Sequence, residues 1–250
     1  MTQAGFDLVE AEPGSLRRSV ELFRAFRVEQ TDPDRFYRAL AADAVGQVAQ
    51  HAGLADATVV DVGGGPGYFR DAFAAAGARY VGVDVDLGEM SGLGPPQGSV
   101  ILGSGMSLPL ASGSVDVAFS SNVLEHVVRP EVMADEMVRV TRPGGLVWLS
   151  YTLWLSPWGG HETSPWHYLG GERAARRYRR KTGHDAKNRY GSTLFPLSAR
   201  RMLRWLERRP DVTPLFVGPR YHPRWARWVI DVPGVREFAS WNLLLVLRRH

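Results

Sequence analysis

The sequence predicts an α/β fold built on a doubly wound, mostly parallel sheet. Three observations carry that reading. After Thr58, short β-branched runs alternate with amphipathic helical segments, the pattern of crossovers that return the chain to one end of a sheet. One of those runs, Val59-Val60-Asp61-Val62, opens directly into the glycine-dense turn Gly63-Gly64-Gly65-Pro66-Gly67. A chain of 250 residues is also long enough for one such domain with a sizeable core and an added lid.

Taken in order, Pro13 to Gln30 reads as a helix whose apolar stripe is Leu16, Val20, Phe23 and Phe26. Thr31-Asp32-Pro33 stops it and starts a second helix, with Asp32 as N-cap, Pro33 at the first helical position and Asp34 in the first turn. That helix runs to about Ala52 and buries Phe36, Leu40, Ala44, Val45 and Val48. Strand one is Thr58–Val62, and a helix follows from Phe69 to near Gly77. Strand two, Arg79–Val83, ends at Asp84, with Asp86 placed to cap a short helix. Strand three is Ser99–Leu102 and strand four is Ser114–Ser120. A helix over Glu131–Val140 starts behind Pro130, and Arg142-Pro143-Gly144-Gly145 turns into strand five, Leu146–Tyr151.

The glycine spacing discriminates between ligands. A dinucleotide turn needs G-x-G-x-x-G, and reading from Gly63 puts Tyr68 where the third glycine belongs, which disfavours an NAD-dependent oxidoreductase. The series Asp61, Gly63, Gly65, Gly67 fits D-x-G-x-G-x-G instead. With Leu108-Pro109 after strand three, Ser121-Asn122-Val123-Leu124-Glu125-His126-Val127 after strand four and the Arg-Pro-Gly-Gly turn, the stretch from Thr58 to Ser150 resembles the class I S-adenosylmethionine-dependent methyltransferases. As a whole the chain is also similar to uncharacterised actinobacterial methyltransferases.

The resemblance implies a Rossmann-like, seven-stranded sheet, six strands parallel and one antiparallel, completed by Val212–Gly218 and Leu243–Leu247. It implies S-adenosylmethionine as cofactor, its methionine and ribose held by Asp61, Gly63, Gly64, Gly65 and Gly67. Asp84, with Val85 beside it, is placed to accept both ribose hydroxyls, since an ionised carboxylate offers only acceptors. Adenine falls to Gly105 and Met106, and Asn122 lines the methyl-transfer chamber. Ser104 stands where the family has an acid for the adenine amino group, so that contact lacks charge assistance. Leading helices in this family often close over the cofactor, but packing is the first job of Arg35, Phe36, Tyr37 and Arg38.

The final hundred residues are chemically distinct. Residues 1–150 hold 11 basic and 19 acidic side chains, a net of −8, whereas residues 151–250 hold 19 and 7, a net of +12. All eight tryptophans lie at or after Trp148. Residues 152–195 read as an acceptor-binding lid inserted after strand five, dense in aromatic, imidazole and proline residues, and residues 198–250 as completion of the sheet. Glu172–Lys181 reads as a basic helix. Its charge suits a phosphate-bearing or carboxylated acceptor, an anionic membrane surface or nucleic acid. Ser198–Arg209 is a further helix with Leu203 and Leu206 inward, and His222–Val229 a short amphipathic one.

Methyl transfer to a hydroxyl needs alignment, exclusion of water and a base. His126 is the first candidate because it follows strand four; His161, Glu162 and His167 come next, in the lid. His161-Glu162 could alternatively bind a metal with outside ligands, but the spacing is not diagnostic and no metal site is assigned. The expected reaction is O-methylation of a small-molecule, sugar or glycolipid acceptor. The alternatives are a non-catalytic S-adenosylmethionine-binding protein and an RNA methyltransferase; the latter is disfavoured because no Asn-Pro-Pro-Tyr-type motif follows strand four. Without cysteine there are no disulfides, thiolate zinc sites or cysteine nucleophiles, which fits a cytoplasmic setting. Charges at Glu10, Glu12, Arg17, Arg18 and Glu21 exclude a secretory apolar core there, and no run is long and apolar enough to span a membrane.

Overall fold

The central strands are apolar on both faces, as a sheet covered on both sides requires. In a computed structural model describing residues 14–28, 31–92, 94–95 and 97–250, the strands join into one seven-stranded sheet. The strands are β1 (Thr58–Val62), β2 (Arg79–Asp84), β3 (Ser99–Leu102), β4 (Val115–Ser121), β5 (Thr141–Thr152), β6 (Val212–Pro219) and β7 (Asn242–Arg249). Their order is β3-β2-β1-β4-β5-β7-β6, and β7 runs antiparallel to both of its neighbours. The other six are parallel, as the family resemblance implies. The reversal of strand order on either side of β1 and β4 opens a crevice at their carboxyl ends, where open α/β sheets bind ligands.

The sheet separates two cores. Val60, Val62, Ala118, Val147 and Leu149 pack with α5 (Pro130–Val140) and α7 (Ala199–Glu207). The alternate residues Val59, Val117, Phe119, Leu146 and Trp148 pack on the opposite face with α2 (Pro33–Ala49) and α3 (Tyr68–Ala75). The expected buried residues of α2 all fall in this second core. Phe36 is buried there and Tyr37 stacks on Tyr68 at 4.6 Å, so these two serve packing, whereas Arg35 and Arg38 are exposed.

Two local expectations change. The Arg-Pro-Gly-Gly turn lies within β5 rather than before it: Val115 pairs with Thr141 but Val117 with Leu146, so residues 142–145 are looped out of register with Gly144 at φ +76°. In α1 (Leu16–Phe26) only part of the expected stripe packs: Leu16 is 60% exposed and Val20 is exposed, whereas Phe26 is half-buried against the second core and the exposed Phe23 contacts Trp158. The buried face is Arg18, Leu22 and Ala25. The cause is electrostatic: Arg18, 2% exposed, forms a two-pronged pair with Asp43 of α2, its Nη2 donating to Oδ2 at 2.7 Å. A charge aimed inward looks polar to a hydrophobic pattern. The sequence-predicted helix ends at Pro13, Glu29 and Gln30, and the charges Glu10 and Glu12, lie outside the described residues.

After β5 the chain makes two short 3₁₀ turns, His161–Thr163 and Trp166–Leu169, before α6 (Gly171–Thr182). Only Gly171 and Ala174 of α6 are buried, so the basic helix exposes its arginines. Segment 152–195 reaches across the sheet's carboxyl edge to α4 (Leu87–Met90), where Lys187 meets Glu89 at 2.9 Å. Trp158 packs edge-on against Phe26 of α1 at 5.3 Å and against Trp241 at 4.8 Å, tying the segment to the first helix and to the start of β7. Among the described residues, no helix is long and apolar enough to cross a membrane.

Candidate active site

The glycine turn connects β1 to α3 with three positive-φ glycines: Gly63, Gly65 and Gly67 at +82°, +47° and +87°. Side chains other than glycine strain in this region. Gly63 N–H donates to Val83 O at 2.8 Å, which locks the turn to the end of β2. A Cβ on Gly63 would meet Val123 at 2.4 Å, whereas one on Gly65 would meet nothing within 4 Å. Gly63 is thus needed for close packing beneath the crevice, and Gly65 leaves its rim open for a ligand.

One carboxylate flanks that rim and a second lies beneath it. Asp84 Oδ2 accepts the Gly65 N–H at 3.0 Å and its Oδ1 accepts the Asp86 N–H at 3.0 Å. Each oxygen keeps a further lone pair toward the crevice. Asp86 bonds Gly88 N–H at 2.7 Å as the cap of α4, the capping role foreseen for it. Asp61 lies beneath the turn, 1% exposed, and takes the Tyr80 hydroxyl on Oδ2 at 2.7 Å. Burial pushes its carboxyl up to about 7; the Tyr80 hydrogen bond opposes this and the charge of Asp84 adds to it. In turn, burial and Asp61 hold the Tyr80 hydroxyl well above its usual range.

Val85 is exposed beside Asp84. At the adenine end, Ser104 Oγ accepts Met106 N–H at 3.2 Å, so this serine turns inward on its own loop. Gly105 is required by packing, since a Cβ there would meet Val62 at 2.9 Å and Met133 at 3.1 Å. Met106 packs against the core. Asn122, at φ +58°, accepts the Asn242 amide at 2.6 Å and so joins the end of β4 to the start of β7.

Beyond β4, the short 3₁₀ turn Leu124–His126 aims two groups toward segment 152–195. Glu125, 1% exposed, accepts the Thr152 N–H at 2.9 Å on Oε1, while its Oε2 has no hydrogen-bond partner. His126 Nδ1 lies 2.6 Å from Thr193 O. A carbonyl can only accept, so Nδ1 carries the proton and Nε2 the lone pair in the neutral ring. His161 stacks edge-on to His126 at 5.1 Å from a left-handed φ of +49°. Burial lowers its affinity for a proton, opposed by the charge of Glu125.

The other two sequence candidates sit apart from this trio. Glu162 accepts the Asn188 amide at 3.0 Å in an exposed pair. His167 is buried, with Nε2 3.1 Å from Ser156 O and its ring under Gly160. The sequence reading missed Glu125; the signal available was its place immediately before His126.

The description "Methyltransferase domain" belongs to the family model that matches residues 60–149. An uncharacterised methyltransferase of Mycobacteroides abscessus is 53% identical over 251 residues, covering 95% of this chain and 96% of the relative. One from Mycolicibacterium gilvum is 54% identical, covering 98% and 99%. The chain belongs to this methyltransferase family.

Solved structures agree on the fold of this methyltransferase. An S-adenosylmethionine-dependent methyltransferase from Mesorhizobium loti matches with TM-score 0.56 at 19% identity, over 83% of this chain and 98% of that one. A geranyl diphosphate methyltransferase in complex with its cofactor matches with TM-score 0.53 at 16% identity, over 96% and 93%. S-adenosylmethionine is the methyl donor of the methyltransferase. An open-rimmed glycine turn and a carboxylate with unused acceptor capacity border the crevice.

Proposed function

We propose that this methyltransferase O-methylates a hydroxyl on a small-molecule, sugar or glycolipid acceptor. The observation carrying this reading is the Glu125–His126–His161 group, which lies between the carboxyl ends of β4 and β5 and segment 152–195. Val123, two residues before Glu125, packs under Gly63, so the group adjoins the cofactor turn. Cofactor binding belongs to Asp61, Gly63, Gly64, Gly65, Gly67 and Asp84, with Gly105, Met106 and Asn122 shaping the walls.

Sulfonium chemistry needs little help beyond alignment and dryness. Segment 152–195 serves as the lid that supplies both: Trp158 seals it onto Phe23 and Phe26, and Lys187 reaches α4 on the far side. A hydroxyl acceptor must also lose its proton. His126 Nε2 takes it as oxygen attacks the methyl carbon, and the carbon–sulfur electron pair stays on sulfur, leaving S-adenosylhomocysteine. An aryl or sugar face stacks on the lid's indoles, and the exposed arginines of α6 attract an anionic group on the acceptor.

Screening sugars, glycolipids and phenols for methylation by the purified protein tests the reading. With an acceptor in hand, His126→Ala should lower kcat about 10²–10⁴-fold with S-adenosylmethionine affinity unchanged. An unchanged kcat would remove His126 as base; methylation confined to amines or RNA would overturn the O-methyltransferase assignment.

A further inference from the structure

We propose that Glu125, His126 and His161 form a binding site for a first-row divalent metal ion at the acceptor end of the cofactor crevice. One ligand atom from each residue lies within 4.8 Å of the others. Two imidazoles and one carboxylate are a donor set that suits zinc, iron or manganese and leaves coordination positions open.

The surroundings fit ligands more closely than they fit a hydrogen-bonded cluster. Glu125 is nearly inaccessible, and one carboxylate oxygen has no donor. A buried acceptor left so is costly, and a cation removes the cost. The other oxygen is fixed by the backbone N–H of Thr152. His126 is oriented the way metal-binding histidines are, with Nδ1–H donating to a backbone carbonyl, here Thr193 O at 2.6 Å, and Nε2 free. His161 is presented by a non-glycine residue in the left-handed region, a conformation retained where the fold has a use for it. A tetrahedral ion with bonds of ~2.0–2.1 Å spaces its ligands by roughly 3.3 Å, so the group contracts by at most about 1.5 Å on binding.

The ligands come from both sides of the crevice, His161 from the lid and the other two from the β4 end. A bound ion would therefore clamp the lid shut. In its catalytic consequence the inference rests on the O-methylation reading. With the ion in place His126 Nε2 is coordinated, so the base role proposed above holds for the metal-free protein only; an acceptor hydroxyl entering an open position is acidified by the ion and passes its proton to a water held in another open position. The oxygen then forms its bond to the methyl carbon as the carbon–sulfur pair returns to sulfur.

The test is a titration with Co²⁺ of full-length protein stripped with chelator, followed by visible absorption and calorimetry, with S-adenosylmethionine affinity measured in parallel. Expected are one ion per chain and the intense visible bands of a low-symmetry nitrogen–oxygen site. Losing an outer-sphere partner alone costs ~10–100-fold in affinity, so Glu125→Gln and His161→Ala should each weaken binding at least ~10-fold. His184→Ala, which removes an exposed histidine outside the group, should change nothing. A wild-type protein that binds S-adenosylmethionine but no Co²⁺ overturns the metal site and leaves the O-methylation reading intact. Co²⁺ binding unaltered in both ligand variants also overturns it. A variant that loses metal yet retains S-adenosylmethionine affinity is folded, and supports the site.

Discussion

Asp61 is the residue whose charge the fold controls most directly. Its folded value of about 7 stands above the ordinary aspartate range, so the folded protein holds a proton that the unfolded chain has released. The sign follows: this residue's stabilising contribution is full below pH ~4 and is lost as pH rises toward ~7. Asp61→Asn, which keeps an acceptor for Tyr80, should therefore flatten the fall in Tm of the unliganded protein between pH 5 and 8. If Asp61 meets the cofactor's ammonium as proposed, its ionised form is the attractive one, so wild-type affinity should tighten across the same interval and the variant's should not. An identical pH profile in both proteins, by calorimetry and thermal melts, would discard this account. Asp84 lies at the other side of the rim and is partly solvated. Asp84→Ala removes the acceptor of Gly65 N–H along with the proposed ribose contact, and Gly65→Arg fills an open rim at φ +47°. Each should weaken S-adenosylmethionine at least ~10-fold, about 1.4 kcal/mol, with the fold retained; wild-type affinity in both would displace the cofactor from this crevice.

At the scale of elements, the helices divide by how their partners are chosen. α2 was legible because its inward face is apolar apart from Asp43 and its start is written in Asp32-Pro33. The inward face of α1 was not, since its central contact is a charge: Arg18 pairs with Asp43 and also donates to Arg220 O at 3.1 Å. Removing one partner of a buried pair strands the other. Arg18→Ala should cost about 3–5 kcal/mol, while replacing both residues by apolar ones of similar volume should restore most of it. Urea denaturation of the single and double variants measures both; a single substitution costing under about 1 kcal/mol would mean that Asp43 finds water instead. The strands and the glycine turn were legible because each depends on local pattern. The Glu125–His126–His161 group was legible only in part, because His161 lies in the stretch after strand five that has no clean period, with 34 residues between it and His126. What joins them is lid closure fixed by Trp158, Trp241 and Thr193, contacts between segments that no periodicity records.

For the whole molecule, chemical asymmetry and structural unity pull in different directions. Residues 1–150 carry a net charge of −8 and residues 151–250 a net of +12, which invites a reading as two units. The sheet denies it. β7, contributed by the last residues, is inserted between β5 and β6, and its Leu243, Leu245 and Leu247 enter one core while Leu244 and Val246 enter the other. Neither half can bury its apolar surface alone. Arg248 further donates to His51 O and Arg249 to Arg139 O at 2.8 Å, bonds that bind the C-terminus back to the N-terminal half. Unfolding should accordingly be a single cooperative transition. Tryptophan fluorescence, which reports only on Trp148 and later residues, should coincide with far-UV circular dichroism, which reports on the whole chain. S-adenosylmethionine, whose proposed contacts lie in the first half, should move both curves together by the same number of degrees. Fluorescence melting earlier than the dichroism, with only the latter shifted by cofactor, would make the basic C-terminal part a separate folding unit and β7 a late addition to an already stable sheet.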